Sequence, residues 1–436
     1  MDYRERNNLL MKLRDVIKAN EKKIYEALKK DLGKAKFEAY ETEIGPILME
    51  LNYTMKYLTS WMQFKTVPTP FFHMPATSTV YRQPHGRVLI LAPWNEPFVL
   101  SLIPLIHAWA AGNEVTLYPS GFAKESQKLL YEMLMNQFPI SRIRVVTGGE
   151  CEKEKLLEKE FDFMFCIGSR KEGQMVLEAA AKQMIPTAIQ IYGKNPCIID
   201  RECHLKYAAR QIVWGKFLNC GQNVMAPDFV LIEESQKQEF LSYVERYIKK
   251  FYGEEPLKSV DYGKLVSQEH MYHLLDLMEH QEILLGGEVD ISNNKISPTV
   301  VLETSLCSEM MKESILGPIL PIMTYDGWED GVEKLSRFPD TSAVYAFTKN
   351  KKHEEWLKEQ CITGSLCIND VLVQGSSPYL PIGGVGAAGM GRFHGKAGFD
   401  TFSIIKSVMK RNPQGDSRIK HPPFAGKLKM LKRILK

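Results

Sequence analysis

Few residues in this chain have the type and setting to do chemistry. Cys220 lies in "FLNCGQNVMAPD", residues 217–228, and a thiol attacks only where its surroundings favour the thiolate. Taken alone it reads as a small buried side chain. Gly168 and Ser169 open "IGSRKEG", where a glycine between strand and helix could present backbone N–H groups to a phosphate. Ser169 with Glu172 three residues on also reads as a capping box, and the two readings are compatible. The lysines of "YGKN", "WGKF" and "HGKA" lack the upstream glycine of a Walker loop. "PIGGVGAAGMG" reads as a close-packed turn rather than a phosphate cradle. The ten histidines form no H-E-x-x-H, and there is no G-x-S-x-G, so protease, lipase and kinase readings lack their parts. The eight cysteines are dispersed, with no zinc-ribbon or Cys-x-x-Cys spacing. No metal site is expected, and a reducing compartment is favoured over a disulfide framework.

The elements that must position these residues are legible as patterns. Leu9, Leu10, Leu13, Val16 and Ile17, then Ile24, Leu28 and Leu32 before Gly33, predict two amphipathic helices. Residues 65–86 are Pro-rich and extended, a linker or protruding arm. From 87 to 200 the apolar runs "RVLILAPW", "NEVTLYPS", "RIRVVTGG", "FDFMFCIG", "TAIQIYG" and "PCIID" predict strands, with helices over 101–111, 123–137 and 170–184. Such alternation implies parallel βαβ units of nucleotide-binding type. A second mixed segment runs from about 207 to 400. The net charge of +4 gives no field for nucleic acid. The charged N-terminus is no signal peptide. The uncharged run between Glu96 and Glu114, interrupted by Pro104 and His107, predicts a buried helix rather than a span, so a cytoplasmic location is expected. In the tail, Leu428, Leu431, Ile434 and Leu435 would share one helix face, with Lys427, Lys429, Lys432, Arg433 and Lys436 around the rest. That face suits an anionic membrane, a partner subunit or a solvated terminus.

Segments along nearly the whole chain carry a resemblance: "DLGKAKFEAYETEIGP", "APWNEPF", "GKNPCIID", "WGKFLNCGQ", "GPILPI" and "GGVGAAGMGRFHGKAGFDTFSIIKSV". In this order they resemble the class 3 aldehyde dehydrogenases. The resemblance implies thiolate attack on an aldehyde, hydride transfer to NAD or NADP, and a glutamate that activates water. It also implies an asparagine that stabilises the oxyanion, present here as Asn95. The family's "GQTC" is "GQNV", which puts Val224 at the nucleophile position, and its "ELGGK" is "QIYGK", with Gln190 for the general base and Tyr192 for a glycine. Among the cofactor positions, "KPSE" is "YPSG", with Tyr118 and Gly121, and "EIFGP" is "SILGP", with Ser314 and Leu316. Gly168 and Ser169 hold the phosphate-turn positions.

A lost general base costs about 10²–10⁴ in rate, and an alkyl side chain cannot attack a carbonyl. Cys220 precedes Val224 by four residues. Four extended residues span about 13 Å, whereas reacting atoms must approach to about 3–3.5 Å, so substitution by Cys220 is not expected. The fold implied is α/β: a Rossmann-type cofactor domain over 1–65 and 85–206 and a catalytic-type α/β domain over 207–398. A small β bridging element over 66–84 and 399–415 and a basic tail over 416–436 complete it. The function expected is that of a catalytically degenerate family member with weak or absent NAD(P) binding. Its role would be binding or partnership, as a homodimer or beside an active paralogue, with peripheral membrane contact through the tail. The alternative is altered oxidoreductase chemistry in the same cleft.

Overall fold

The computed structural model describes residues 1–303, 305–413 and 420–435. Lys436 and the boundary drawn at 415/416 lie outside the described residues. The chain opens on the two expected helices, Tyr3–Ala19 and Glu21–Leu32. Asp2 and Glu5 cap the first reciprocally, and Gly33, at φ 71°, ends the second in the left-handed conformation that glycine accepts most readily. That sharp end delivers Lys34 into the interior, where its ammonium donates to Glu43 Oε1 at 2.8 Å and Thr42 Oγ1 at 3.1 Å.

Glu43 belongs to a π-helical turn, Tyr40–Ile44, which leads into the helix Gly45–Met62. Its second oxygen accepts the backbone N–H groups of Phe98 and Val99, each at 3.0 Å. Those groups open the helix Val99–Ala111, which is buried along its whole length. A carboxylate at a helix N-terminus satisfies orphan donors and complements the dipole. The expected buried helix is therefore present and extends two residues further upstream. Its His107 Nε2–H donates to Glu50 at 2.9 Å, and Glu50 also accepts from His394 and the Gly395 N–H.

The first sheet has six strands in the order Gly389–Met390, Thr187–Ile191, Phe163–Gly168, Arg87–Ala92, Glu114–Pro119, Ile143–Val145, all parallel except the first. The helices Val99–Ala111, Lys124–Met135 and Arg170–Gln183 alternate with these strands, as the 87–200 pattern predicts. The second sheet has seven strands: Glu282–Leu285, Thr299–Leu302, Ile319–Tyr325, Phe229–Glu233, Pro196–Ile199, Val344–Phe347 and Leu366–Ile368, in that order. A third, antiparallel sheet joins Lys65–Val67, Ala76–Pro84 and Ser403–Arg411.

Two assignments need correction. Pro196–Ile199, placed by sequence in the cofactor domain, lies between Phe229–Glu233 and Val344–Phe347 in the second sheet. A four-residue run buried on both faces has no alternation to say which sheet it joins. Conversely, Gly389–Met390, placed in the 207–398 unit, pairs antiparallel with Thr187–Ile191 of the first sheet.

The Lys34–Glu43 pair is fully buried, whereas Lys30 and Glu125 form an exposed pair. Removing one partner of a buried pair costs about 3–5 kcal/mol, and an exposed pair contributes about 1 kcal/mol or less. Urea denaturation should therefore show Lys34→Met strongly destabilised and Lys30→Met close to the parent. Similar losses in the two variants would refute a structural role for the buried ammonium.

Candidate functional site

The loop that carries Val224 begins at the end of the helix Leu205–Phe217. Asn219 and Cys220 both adopt φ 53° and Gly221 φ 75°, three consecutive left-handed residues. A Cβ on Gly221 would lie 2.2 Å from the Gly317 carbonyl oxygen, so only glycine lets the loop pack against Gly317 and Pro318. Amides brace this conformation. Asn219 donates to the carbonyls of Asn95 (2.7 Å) and Gln222 (3.0 Å), and Gln222 donates to those of Asn219 and Lys264 (both 2.9 Å). Glu38 accepts the Asn219 N–H at 2.6 Å.

Over this loop lies a cavity of about 240 Å³, with mostly apolar walls. Val224 and Gln190 both line it, with Leu100, Ile103, Trp214 and Phe393 among the apolar side chains. Gln190 is held by the glycine-rich turn. Its Oε1 accepts the Gly384 N–H at 2.7 Å, and its Nε2 faces the carbonyls of Gly391 and Met390 at 3.3 and 3.4 Å. Asn95 stands behind the wall. Its Nδ2 donates to the Gln222 carbonyl at 3.1 Å, and its buried Oδ1 has no hydrogen-bond partner among the described residues.

Cys220 does not line the cavity. Its Sγ faces Tyr262 Oη at 3.5 Å, and that hydroxyl donates to the Ile296 carbonyl. Burial, opposed only in part by Tyr262 and Lys295, pushes the Cys220 thiol up to about 12.

A second cavity, of about 250 Å³, lies across Tyr192 from the first, and Tyr192 and Ile191 border both. Ser169 and Ser314 line it. Ser169 caps the helix Arg170–Gln183, and the Glu172 carboxylate accepts the Ser169 N–H at 2.9 Å. Lys153 balances Glu172 at 2.8 Å. The first backbone donor of this helix end, beside Gly168, is thus engaged by the chain's own carboxylate. Ser314 Oγ turns inward to Asp228, 3.1 Å from Oδ1. Leu316, at φ 48°, is buried, and its carbonyl accepts from His270 at 2.8 Å.

Tyr118 and Gly121 lie elsewhere, at the end of Glu114–Pro119. The Tyr118 hydroxyl faces the carbonyls of Gly148 and Gly149 at 3.0 and 2.8 Å. A Cβ on Gly121 would lie 2.5 Å from the Gly148 oxygen.

The structure thus brings Val224 and Gln190 together around one cavity and Ser169 and Ser314 around the next. Asn95, Cys220, Leu316, Tyr118 and Gly121 fall outside both. Sequence reasoning missed Glu96. It lines the first cavity, is only 7% exposed, and accepts from Asn223 Nδ2 at 3.0 Å. Burial, opposed by Lys34 and reinforced by Glu43 and Glu38, pushes its carboxyl up to about 8. The signal was an acid inside "APWNEPFVLSLIPLI", where every neighbour is uncharged.

Alkylation follows thiolate population and access. Iodoacetamide at pH 8 should label the exposed Cys151 and Cys307 in the folded protein and leave Cys220 unmodified until denaturant is added. Peptide mapping that finds Cys220 labelled as fast as Cys151 would contradict the buried thiol.

The aldehyde dehydrogenase family profile matches residues 1–408. The 4,4'-diaponeurosporen-aldehyde dehydrogenase of Staphylococcus aureus (strain NCTC 8325 / PS 47) is 37% identical, over 100% of this chain and 95% of that protein. Aldehyde dehydrogenase family 3 member A2 of Pongo abelii is 35% identical, over 97% of this chain and 89% of its own length. The substrate-bound Staphylococcus aureus AldH structure superposes with a TM-score of 0.97 at 36% identity, over 100% of this chain and 95% of that one. An indole-3-acetaldehyde dehydrogenase complexed with NAD+ shares the fold, with a TM-score of 0.86 at 21% identity, covering 94% of this chain and 85% of that one. This chain belongs to the aldehyde dehydrogenase family.

Proposed function

We propose that this family member binds in its cleft without oxidising, as a pseudoenzyme with a binding or partner-subunit role. The observation that carries the reading is the state of the three positions to which the family resemblance assigns chemistry. Val224 offers an alkyl group to the cavity, Gln190 is held by the glycine-rich turn, and Asn95 directs its amide N–H at Gln222. A neutral amide is no general base, and a donor already engaged inside the scaffold is not aimed at an oxyanion.

The NAD+ complex of the indole-3-acetaldehyde dehydrogenase makes NAD(P)+ the ligand to test. The residues present here suit it poorly. Tyr118 and Ser314 direct their hydroxyls at Gly148, Gly149 and Asp228, and Gly121 is packed against Gly148 with no room for a side chain. Glu172 occupies the Ser169 N–H with a negative charge where a pyrophosphate would need a donor. If each lost ribose hydrogen bond contributes about 1–2 kcal/mol, three remove about 10²–10⁴ in affinity.

Partnership is assigned to the three-stranded sheet of Lys65–Val67, Ala76–Pro84 and Ser403–Arg411, together with the exposed terminal helix Leu428–Ile434. The sheet suits pairing with a second copy or an active paralogue. The helix, with Leu428 62% exposed, suits peripheral contact with a membrane on the cytoplasmic side. Among the described residues no helix is long and apolar enough to cross a membrane.

Calorimetric titration with NAD+ and NADP+ to millimolar concentration should give no resolvable binding. Micromolar binding would overturn the reading and require aldehyde turnover to be assayed, which is where altered oxidoreductase chemistry would emerge. Purification from the native source should return the chain with an active aldehyde dehydrogenase, and recovery only as a homodimer would count against the paired-subunit version.

A further inference from the structure

We infer that the cavity over Val224 takes an apolar organic amine, with Glu96 as the counter-ion of its ammonium group. The inference rests on the preceding reading of the cleft as a retained binding site. The hydrocarbon or aryl part of such a ligand matches the walls formed by Leu100, Ile103, Met225 and Phe393. The ammonium part matches a deficit of positive charge behind those walls.

Glu38, Glu43 and Glu96 are all buried around one lysine, Lys34. The Lys34 ammonium donates to Glu43 and Thr42, so Glu43 takes the direct ion pair. Glu38 is used by the Asn219 N–H. Among the described residues the Glu96 carboxyl receives only the neutral amide of Asn223. With every carboxylate ionised the cluster would carry a surplus of two negative charges. Burial makes that surplus costly, and the cluster relieves it by keeping protons, Glu96 being raised to about 8. An ammonium entering the cavity supplies the missing charge at the one member that faces the ligand space, and its proton-bearing nitrogen makes a charge-assisted hydrogen bond there.

Two further features agree. Glu41, an exposed carboxylate on the π-helical turn, stands at the cavity rim and favours entry of a cation. Trp214 and Tyr192 present aromatic groups to the same space, and a cation over an aromatic face is attracted by the ring quadrupole. A carboxylic acid, the product class of the family reaction, would meet Glu96 as a like charge and be rejected.

The test is a calorimetric series on the full chain at pH 8.5 with three ligands of one shape: hexylamine, 1-hexanol and hexanoate. Hexylamine should bind about tenfold or more tighter than 1-hexanol, the discrimination of a charge-assisted over a neutral contact, and hexanoate weakest. Glu96→Gln should bring hexylamine to parity with 1-hexanol. Equal affinities on the parent protein, no hexylamine binding, or a preference for hexanoate would each overturn the inference, and none of these needs the variant to fold. The two readings fail separately: dinucleotide binding overturns the pseudoenzyme reading and leaves the amine preference standing, whereas loss of the amine preference leaves the dinucleotide result untouched.

Discussion

Lys34 enters the interior where the second helix stops, and its ammonium is shared between direct hydrogen bonds to Glu43 and Thr42 and through-space attraction to Glu38 and Glu96. Much of the cleft follows from that placement. One Glu43 oxygen takes the Lys34 ammonium, and the other accepts the Phe98 and Val99 N–H groups at the N-terminus of Val99–Ala111. That helix supplies one wall of the cavity from Val99, Leu100 and Ile103. Glu38 in turn fixes Asn219, the first of the three left-handed residues that set the course of the loop to Val224. A single cation therefore lies behind both a wall and the floor, and Glu96, which it does not pair directly, is raised to about 8.

The floor is equally specific. Asn219, Gln222 and Asn95 exchange hydrogen bonds chiefly with backbone carbonyls of the same region. The network is only partly satisfied, since the buried Oδ1 atoms of Asn95 and Asn219 have no hydrogen-bond partner among the described residues, and each unpaired amide group in a low-dielectric interior is costly. The site's polar groups are directed at the scaffold, and the face turned to the cavity is alkyl and aromatic apart from Glu96 and a few polar side chains.

Much of this was legible in the sequence. The short apolar runs of 87–191 mark the strands of the first sheet, and the Ser169–Glu172 spacing marks the capping box of the helix that follows one of them. Val224, Gln190 and Tyr192 stood out because the segments around them match a family pattern closely. Three things were hidden. Pro196–Ile199 gave no clue to its sheet, since a run buried on both faces carries no alternation. Gly389–Met390 is two residues long and sits in a glycine-rich turn, where no propensity argument finds a strand. Glu96 was visible as an acid among apolar neighbours, but its significance depends on Lys34, Glu38 and Glu43, which reach it only through tertiary packing.

Gly389 and Met390 cross from the second unit to become the edge of the first sheet, beside Gln190 and Ile189. A Cβ at 389 would lie 2.3 Å from the Ile189 carbonyl oxygen, so the crossing needs glycine. The two units are consequently not interchangeable modules. A fragment ending near residue 200 would leave Thr187–Ile191 as a bare, apolar edge open to pairing with other chains. Recombination that exchanged the second unit would have to bring its own closing strand in register. In such an architecture the cleft is inherited whole, so its lineage can change the side chains that line it far more easily than it can change which halves face each other.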